Sequence, residues 1–154
     1  SSPPDGFLGY LVKRRLRCSA NMAKAQSTNN VHRIYLHPSL QKQKKTILTS
    51  WLNAITVVAA ELSGRIYGGG VLKLELGVVK TLLIPDPEYL HNIPTEDIDK
   101  ALRNNENRKA WELLDNELAR ILNLPFSTLK EVRFVSEILR DKRLGFRSAS
   151  EVCE

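Results

Sequence analysis

The sequence predicts an α+β fold, in which a small mixed αβ part precedes a C-terminal helical hairpin or bundle. Short segments of alternating apolar residues, typical of strands, come before residue 87, and three amphipathic helical patterns follow residue 94. Prolines interrupt both patterns between these regions. The chain is therefore divided into residues 1–87, a linker at 88–94 and a helical part at 95–154. Its 154 residues are enough to bury a hydrophobic core.

The first part contains three predicted strands and a polar loop. Strands are expected at 31–37 and at 71–76, because apolar and polar residues alternate there. A strand is also expected at 10–18, which alternates only partly but is rich in Leu and Val and studded with Lys and Arg. Residues 80–85 are a candidate for a further strand. The segment 19–30 is rich in Ser, Asn, Gln and Thr, which favours a loop.

One long helix is predicted between the second and third strands. Ser39 follows a proline and suits the N-cap position, and Gly64 suits the C-cap position. The apolar positions between them repeat with the helical period: Ile47, Leu48, Trp51, Leu52, Ile55, Val58, Ala59 and Leu62.

Three further helices are predicted in the C-terminal part, at 95–104, at 106–123 and after an N-cap at Ser127. The apolar face of the second helix comprises Trp111, Leu114, Leu118, Ile121 and Leu122. The inward residues expected for the third are Leu129, Val132, Val135, Ile138 and Leu139. Packing of these faces gives the helical hairpin or bundle.

Charge is distributed unevenly along the chain. There is no carboxylate between Asp5 and Glu61, whereas nine basic residues occur in the first 60 positions. They are Lys13, Arg14, Arg15, Arg17, Lys24, Arg33, Lys42, Lys44 and Lys45. Because a solvated face normally mixes its charges, this run favours a surface for a polyanion, with nucleic acid as the first interpretation. An acidic protein partner, a membrane surface and chance remain alternatives.

Patterns for metal, nucleotide and membrane sites are missing from the sequence. Cys18 and Cys153 are far apart and lack a metal-ligand spacing, so both are expected to be reduced thiols. His32 and His37 lack a metal-binding partner pattern, so we expect them to flank a strand and not to bind zinc. The glycine run at 64–73 lacks the Lys-Ser/Thr of a phosphate loop. No apolar run approaches the length of a membrane span. We therefore predict no metal, no catalytic residue and no membrane partner for this segment.

A glycine triplet carries a resemblance to a known family. Consecutive glycines cost backbone entropy and bury no side chain, so they mark a sharp reversal or a close approach to the backbone. The segment Arg65-Ile66-Tyr67-Gly68-Gly69-Gly70-Val71-Leu72-Lys73-Leu74-Glu75 resembles the "Arg-x-Tyr-Gly-Gly-Gly-x-x-Lys-x-Glu-Pro" block of bacterial adenine-specific DNA methyltransferases. This block follows the catalytic domain, in or next to the target-recognition region. Here Leu76-Gly77 stands where the family has Pro.

The resemblance extends in order over residues 27–87 and loosely over 107–143. It rests on the Asn-rich loop before a His-x-Tyr-like strand, on Trp51-Leu52-Asn53, on Leu83-Ile84-Pro85, and on Leu114-Asp115 with Leu122-Asn123-Leu124. Ser2-Pro3-Pro4-Asp5 is similar to the family's catalytic tetrapeptide, but Asp5 replaces its aromatic residue, so we interpret this segment as a linker. Methyl transfer by this segment alone is not expected.

The resemblance implies a bacterial, cytoplasmic target-recognition region. Its partners would be double-stranded DNA and an upstream catalytic domain, and S-adenosylmethionine would be bound in the full-length enzyme and not in this segment. The expected DNA-contacting residues are Lys13, Arg14, Arg15, Arg17, Lys24, Asn29, Asn30, Arg33, Lys44, Lys45, Arg65, Tyr67, Gly68, Gly69, Gly70 and Lys73. Asn21, Gln26, Asn29 and Asn30 have amides suited to reading base edges, although a solvated loop has the same composition.

A second function class remains open, which is a protein-interaction or assembly module. In this interpretation the helices within 106–143 dock the chain onto a catalytic partner, and the basic part is secondary. DNA binding weakens steeply as salt rises, whereas docking through apolar helix faces persists, so salt dependence separates the two classes.

Overall fold

The computed structural model describes residues 2–145 of the chain. Its strands are β1 (Gly6–Gly9), β2 (Leu11–Val12), β3 (Cys18–Ala20), β4 (Val31–Ile34), β5 (Arg65–Tyr67) and β6 (Val71–Lys73). Its α-helices are α1 (Lys44–Ser50), α2 (Ala54–Ser63), α3 (Leu76–Val79), α4 (Thr95–Arg103), α5 (Asn107–Ile121) and α6 (Phe126–Arg143). The predicted α+β class is confirmed. Cys153 lies outside the described residues, as does the end of the predicted part 95–154.

The strands form two antiparallel sheets of three strands each within the described residues. In the first sheet, β1 lies between β3 and β4, and Leu8 pairs with Cys18 and His32. In the second, β6 lies between β2 and β5, and Leu72 pairs with Val12 and Ile66. Leu8 and Leu72 are both buried. Each sheet therefore turns one face toward the core and the other outward.

The strand predicted at 10–18 is wrong over most of its length. Only β2 and the first residue of β3 fall within it, and residues 13–17 form a loop that is exposed except for Leu16. Three consecutive cations from Lys13 cannot alternate between core and solvent, so the chain leaves the sheet there. The short strand β1, which is bounded by glycines, is not evident from the sequence pattern.

The other strand predictions are confirmed in part. β4 and β6 lie within the predicted segments 31–37 and 71–76 but are shorter. The strand considered at 80–85 is absent from the structure, in which this segment is a turn followed by chain without regular secondary structure. The alternation of apolar and polar residues does not predict β5, because all three of its residues are exposed.

The long helix predicted from Ser39 to Gly64 is broken into pieces. The side chain of Asn53 accepts a hydrogen bond from the Thr56 N–H and starts α2, which bends by 66° from the preceding helical segment. The first turn, Pro38–Gln43, is a 3-10 helix capped by His37 and not by Ser39. Gly64 does end α2. Among the described helices none alone is long and apolar enough to cross a bilayer, and this bent pair meets those two criteria only in combination.

One hydrophobic core connects both predicted parts of the chain. It includes Leu8 and Leu72 from the sheets and Leu114 from α5. Leu90 and Ile93, within the segment 88–94, are buried in the same core. This segment therefore packs against both regions, and the division of the chain there stays a prediction.

The N-terminal segment is not the linker that its composition indicates. Pro4 is buried, and its carbonyl oxygen accepts a hydrogen bond from Asn21 at 2.8 Å. The carboxylate of Asp5 accepts one from the Leu36 N–H at 2.8 Å. These bonds tie the segment to the loops that follow β3 and β4.

Helices α4 and α5 lie where the sequence predicts them, but the inward face of α6 is different. Its buried residues are Leu129, Arg133, Ser136 and Arg143, whereas Val135 and Ile138 are exposed. α6 also begins at Phe126 after Pro125, and Ser127 makes no cap. The arginine face turns inward because acceptors on other elements, Asp115 and Glu61, receive its charges.

The packing of α5 on α6 gives a stability prediction. Leu118 is 3% exposed and packs in a small cluster with Ala119 and Leu129. Leu118→Ala should lower the free energy of unfolding by about 2–5 kcal/mol, because it leaves a cavity in this cluster. Leu122→Ala is the control, since Leu122 is 45% exposed and its truncation should cost less than about 0.5 kcal/mol. Chemical denaturation of both variants checks this, and equal losses would contradict the packing described.

Candidate nucleic-acid interface

The second sheet gathers part of the glycine block on its outer face. Lys73 on the central strand pairs with Arg65 on one side and Leu11 on the other, and Val71 pairs with Tyr67. Because directly paired residues and residues two apart share one face, these five side chains lie together. Arg65, Tyr67 and Leu11 are exposed. The result is a small face that combines cations with aromatic and apolar groups.

Lys73 is at the centre of this face. Its Nζ lies 5.4 Å from the ring centroid of Tyr10 and 5.3 Å from that of Tyr67. The pKa of Lys73 is raised above its usual range. The larger cause is a hydrogen bond with the Tyr10 side chain, and a smaller one is a hydrogen bond with Tyr67. Hydrogen bonds from Arg65 and then Lys73 lower the pKa of Tyr67. Lys73 therefore stays a cation at neutral pH.

One carboxylate of the glycine block also reaches this face. The Oε1 of Glu75 lies 3.5 Å from Lys73 Nζ and 4.0 Å from Arg65 Nη1. The Arg65 and Glu75 side chains are well exposed, so their pairing contributes little to stability. Glu75 therefore lies beside both cations, and the Arg65 side chain stays exposed.

The glycine triplet, Gly68 to Gly70, forms the tight turn that joins β5 to β6, and we call it the glycine turn. The sharp reversal expected from the sequence is thus the end of a hairpin and not a helix–strand junction. Gly69 and Gly70 both have φ of 70°, as expected for residues that need the left-handed region. A Cβ on Gly68 would meet no atom within 4 Å. Gly69 and Gly70 are thus required by conformation, whereas Gly68 is not.

The basic loop, residues 13–17, lies against the glycine turn and helix α5. The Nζ of Lys13 donates to the carbonyl oxygen of Gly69. The guanidinium carbon of Arg15 lies 4.5 Å from the ring centroid of Trp111, a cation–π contact. Arg14 and Arg17 are exposed. The loop is therefore anchored by Lys13, Arg15 and the buried Leu16, and it exposes Arg14 and Arg17 in addition.

A cavity of about 30 Å³ separates the basic loop from α6. Its lining includes Arg15, Trp111, Arg133 and Arg140. Desolvation, together with the positive charge of Arg140, lowers the pKa of the Arg15 guanidinium. The volume suits a water molecule and no larger ligand.

The polar loop supplies several exposed groups beside the first sheet. Asn29, Asn30 and Lys24 are exposed, and Lys24 has a left-handed φ of 53°. Arg33 is exposed on β4. Asn21 is different, because its side chain is buried and bonds both the N–H and the carbonyl of Ala25. The interpretation of Asn21 as a base-reading residue is therefore wrong, and its role is to hold the loop.

Two of the expected DNA-contacting lysines are engaged within the fold. The Nζ of Lys44 lies 3.7 Å from a carboxylate oxygen of Asp5. That of Lys45 lies 2.8 Å from Glu96 and 3.7 Å from Asp99. The hydrogen bond with Glu96 raises the pKa of Lys45. These two charges are less available to a polyanion than those of Arg14 and Arg17.

The structure adds two residues that the sequence interpretation missed. Tyr10 joins the two sheets, and its ring packs edge-on against His32 with centroids 5.3 Å apart. The Nε2 of His32 lies 2.6 Å from the carbonyl oxygen of Leu74. The two rings thus support Lys73 from the side of the first sheet. His32 lies within β4, and Tyr10 lies between β1 and β2, so no local sequence pattern indicates their contact with each other or with Lys73.

The one described cysteine has no site chemistry of its own. Burial raises the pKa of the Cys18 thiol to about 12, so it remains protonated. Among residues 2–145, no group of three His, Cys, Asp or Glu side chains is arranged to hold a metal ion.

A family model for a protein domain matches most of this chain. It is described as Type II methyltransferase M.Eco57I, C-terminal domain, and it matches residues 1–119. The matched range includes the basic loop and the glycine turn and ends within α5, so α6 lies beyond it. No curated protein and no solved structure matches the chain. The chain therefore belongs to the family of the C-terminal domain of Type II methyltransferase M.Eco57I, and it is a C-terminal region of a restriction-modification methyltransferase.

Proposed function

We propose that this chain is the DNA-binding, target-recognition portion of an adenine-specific DNA methyltransferase. It would position duplex DNA for methylation of adenine by an upstream catalytic domain in a bacterial cytoplasm. The observation that carries the proposal is the contact of the basic loop with the glycine turn, made by Lys13 on the Gly69 carbonyl, beside the face that contains Arg65 and Lys73.

Each part of this surface suits a different feature of DNA. Exposed guanidinium and ammonium groups bind phosphates, which gives most of the affinity and sets the register. Backbone N–H groups in a glycine-rich turn can also approach an anion closely. Asn29 and Asn30 have the amide chemistry that reads adenine edges. Enzymes that modify a base flip it out of the duplex, so a separate region must hold the surrounding helix.

S-adenosylmethionine would supply the methyl group and would be bound by the catalytic domain. The cavity beside the basic loop measures about 30 Å³, whereas small-molecule sites are typically about 300 Å³ or more. The described residues there do not fit such a cofactor. Our proposal for this segment is the binding and positioning of DNA, and it includes no catalytic residue.

The glycine turn tests this proposal. Gly68→Ala should leave the free energy of unfolding within about 1 kcal/mol of the wild-type value, because Gly68 is outside the left-handed region and has open space around it. If the turn approaches the DNA backbone, the added methyl should lower duplex affinity about tenfold, a loss of about 1.4 kcal/mol. Fluorescence anisotropy with a labelled duplex measures this, and denaturation measures stability.

The control for this test is Gly70→Ala. At Gly70 both the φ of 70° and the nearby Leu144 Cα, 3.1 Å from an added Cβ, predict loss of stability together with binding. Gly69 is unsuitable for this test because its φ of 70° strains any side chain. Unchanged duplex affinity in Gly68→Ala would remove the glycine turn from the interface.

An assembly module is the second candidate function, and the outer face of α6 favours it. Phe126 is 59% exposed, Phe134 63% and Val135 46%. Such side chains on one helix suit docking onto a protein partner, which would persist as salt rises. Retention of a purified catalytic domain in high salt, lost in Phe134→Ser, would support this function, and independence from Phe134 would contradict it.

A further inference from the structure

Arg143, near the end of helix α6, is a buried arginine that contacts the proposed DNA surface from the interior of the fold. The side chain of Arg143 is 1% exposed, and that of Glu61 on α2 is 6% exposed. Arg143 Nε donates to Glu61 Oε2 at 2.9 Å, and Nη2 donates to Oε1 at 2.8 Å. A buried guanidinium needs such a partner, because an unpaired charge in the interior is strongly unfavourable. One edge of the guanidinium is therefore fixed between α2 and α6.

The remaining nitrogen, Nη1, faces the basic loop and the glycine turn. It donates to the carbonyl oxygen of Lys13 at 2.9 Å and to that of Val12 at 3.4 Å. It also donates to the carbonyl oxygen of Gly70. The last residue of β2, the first of the basic loop and the last of the glycine turn thus converge on one donor group.

Two more contacts complete this junction. An added Cβ on Gly70 would collide with the carbonyl oxygen of Arg143, so the backbone of the turn rests directly on the end of α6. On the exposed side, Lys13 Nζ donates to the Gly69 carbonyl. The two segments are therefore joined from the buried side by Arg143 and from the solvent side by Lys13.

We infer that Arg143 is a positioning residue for DNA binding, because its guanidinium holds the basic loop and the glycine turn in one fixed arrangement. The inference rests on the proposed function for the identity of the ligand. It gives α6, which lies outside the family match, a part in DNA recognition without contact to DNA. Only arginine fits this position, since a lysine ammonium cannot span both carboxylate oxygens and the carbonyl groups behind it.

Arg143→Lys tests the inference, with Arg133→Lys as the matched control. Both arginines are buried, with 9% of the whole residue exposed in each case, and each pairs through two nitrogens with a buried carboxylate. The hydrogen bonds differ in the backbone acceptor, because Arg133 donates to the Leu52 carbonyl and to neither of the two segments. Arg133 does stack on Trp111, with its guanidinium carbon 5.1 Å from the ring centroid, so its link to the basic loop is indirect and it has no hydrogen bond to the glycine turn. A general loss of stability would therefore appear in both variants, whereas loosening of the glycine turn is expected in Arg143→Lys alone.

Two measurements below the melting temperature separate the outcomes. In Arg143→Lys, amide exchange without DNA at residues 13–17 and 68–70 should accelerate about tenfold or more relative to Arg133→Lys. Duplex affinity should fall about tenfold in Arg143→Lys and stay near the wild-type value in Arg133→Lys, because binding must then fix two loosened segments. Unchanged exchange in Arg143→Lys, or equal affinity losses in both variants, would overturn the inference.

Glu61→Gln keeps the test decisive if Arg143→Lys does not fold. The glutamine keeps the shape of the Glu61 side chain but removes its charge, so it binds the Arg143 guanidinium less tightly. The amide hydrogens of residues 13–17 and 68–70 should therefore exchange faster. Unchanged exchange in this variant would likewise overturn the inference. If the wild-type chain binds no duplex, the proposed function fails, and the exchange measurement without DNA still decides whether Arg143 positions the two segments.

Discussion

Charge reversal at two exposed arginines of the basic loop is expected to remove most duplex binding. Arg14 and Arg17 face solvent, whereas Arg15 stacks on Trp111, so Arg14→Glu/Arg17→Glu changes the surface without disturbing the anchor of the loop. Loss of two phosphate contacts, with added repulsion, should lower affinity on the order of 100-fold at moderate salt. Anisotropy titration with any duplex measures the loss.

The matched control reverses two exposed arginines in the helical part. Arg103 and Arg108 have side chains 77% and 83% exposed, and Arg103→Glu/Arg108→Glu changes the net charge by the same amount. Its effect on duplex affinity should be small, because these two arginines lie outside the basic loop and the glycine turn and pair with Asp99 and Glu112. Equal losses in the two variants would mean that net charge alone, and not the basic loop, governs binding.

Removal of the Asp115 carboxylate is expected to cause the largest loss of stability. Its Oδ2 accepts from Arg133 Nε at 2.8 Å, and its Oδ1 accepts from Arg133 Nη2 at 3.0 Å and from the Ala54 N–H at 2.8 Å. Asp115→Ala would leave the guanidinium and the first N–H of α2 buried without this partner. The expected cost is about 3–5 kcal/mol, measured by chemical denaturation.

Glu112→Ala is the control for this prediction. Glu112 lies on the same helix and pairs with Arg108 at 3.2 Å, but both side chains are exposed. Its removal should change the free energy of unfolding by less than about 1 kcal/mol, because exposed ion pairs contribute little. A cost for Asp115→Ala as small as that of Glu112→Ala would contradict the structural role of the buried pair.

Hydrophobic periodicity predicts those elements whose apolar face and buried face coincide. Helices α4 and α5 satisfy this condition and lie at the predicted positions. The break before α2 depends on Asn53, which caps the helix, and on Asp115, which binds the Ala54 N–H from a distant helix. The periodicity of apolar residues contains no information about either contact, so it predicts one helix where the fold has α1 and α2.

The buried face of helix α6 also could not be predicted from hydrophobic periodicity. Arg133, Ser136 and Arg143 follow Leu129 at helical spacing, yet polar side chains at these positions predict an exposed face. The face is buried because Asp115 and Glu61 receive its charges. The identity of such partners is set by tertiary structure and does not follow from the helix itself.

Sequence patterns predict the part of the proposed interface that lies within one strand face, but not the contacts between distant segments. The glycine block puts Arg65, Tyr67 and Lys73 on one strand face, which follows from alternation once the hairpin is known. The engagement of Lys45 by Glu96 and the support of Lys73 by Tyr10 join distant segments, which local patterns do not reveal.

The salt dependence of duplex binding tests the central claim most directly. Binding of the wild-type chain to a labelled duplex would be measured by anisotropy at several salt concentrations. If the basic loop and the glycine turn meet the DNA backbone, the logarithm of the association constant should fall with a slope of about −4 to −6 against the logarithm of salt concentration, as expected for about five or six phosphate contacts. Absence of duplex binding at low salt, or a slope near zero, would contradict the account and favour the assembly function.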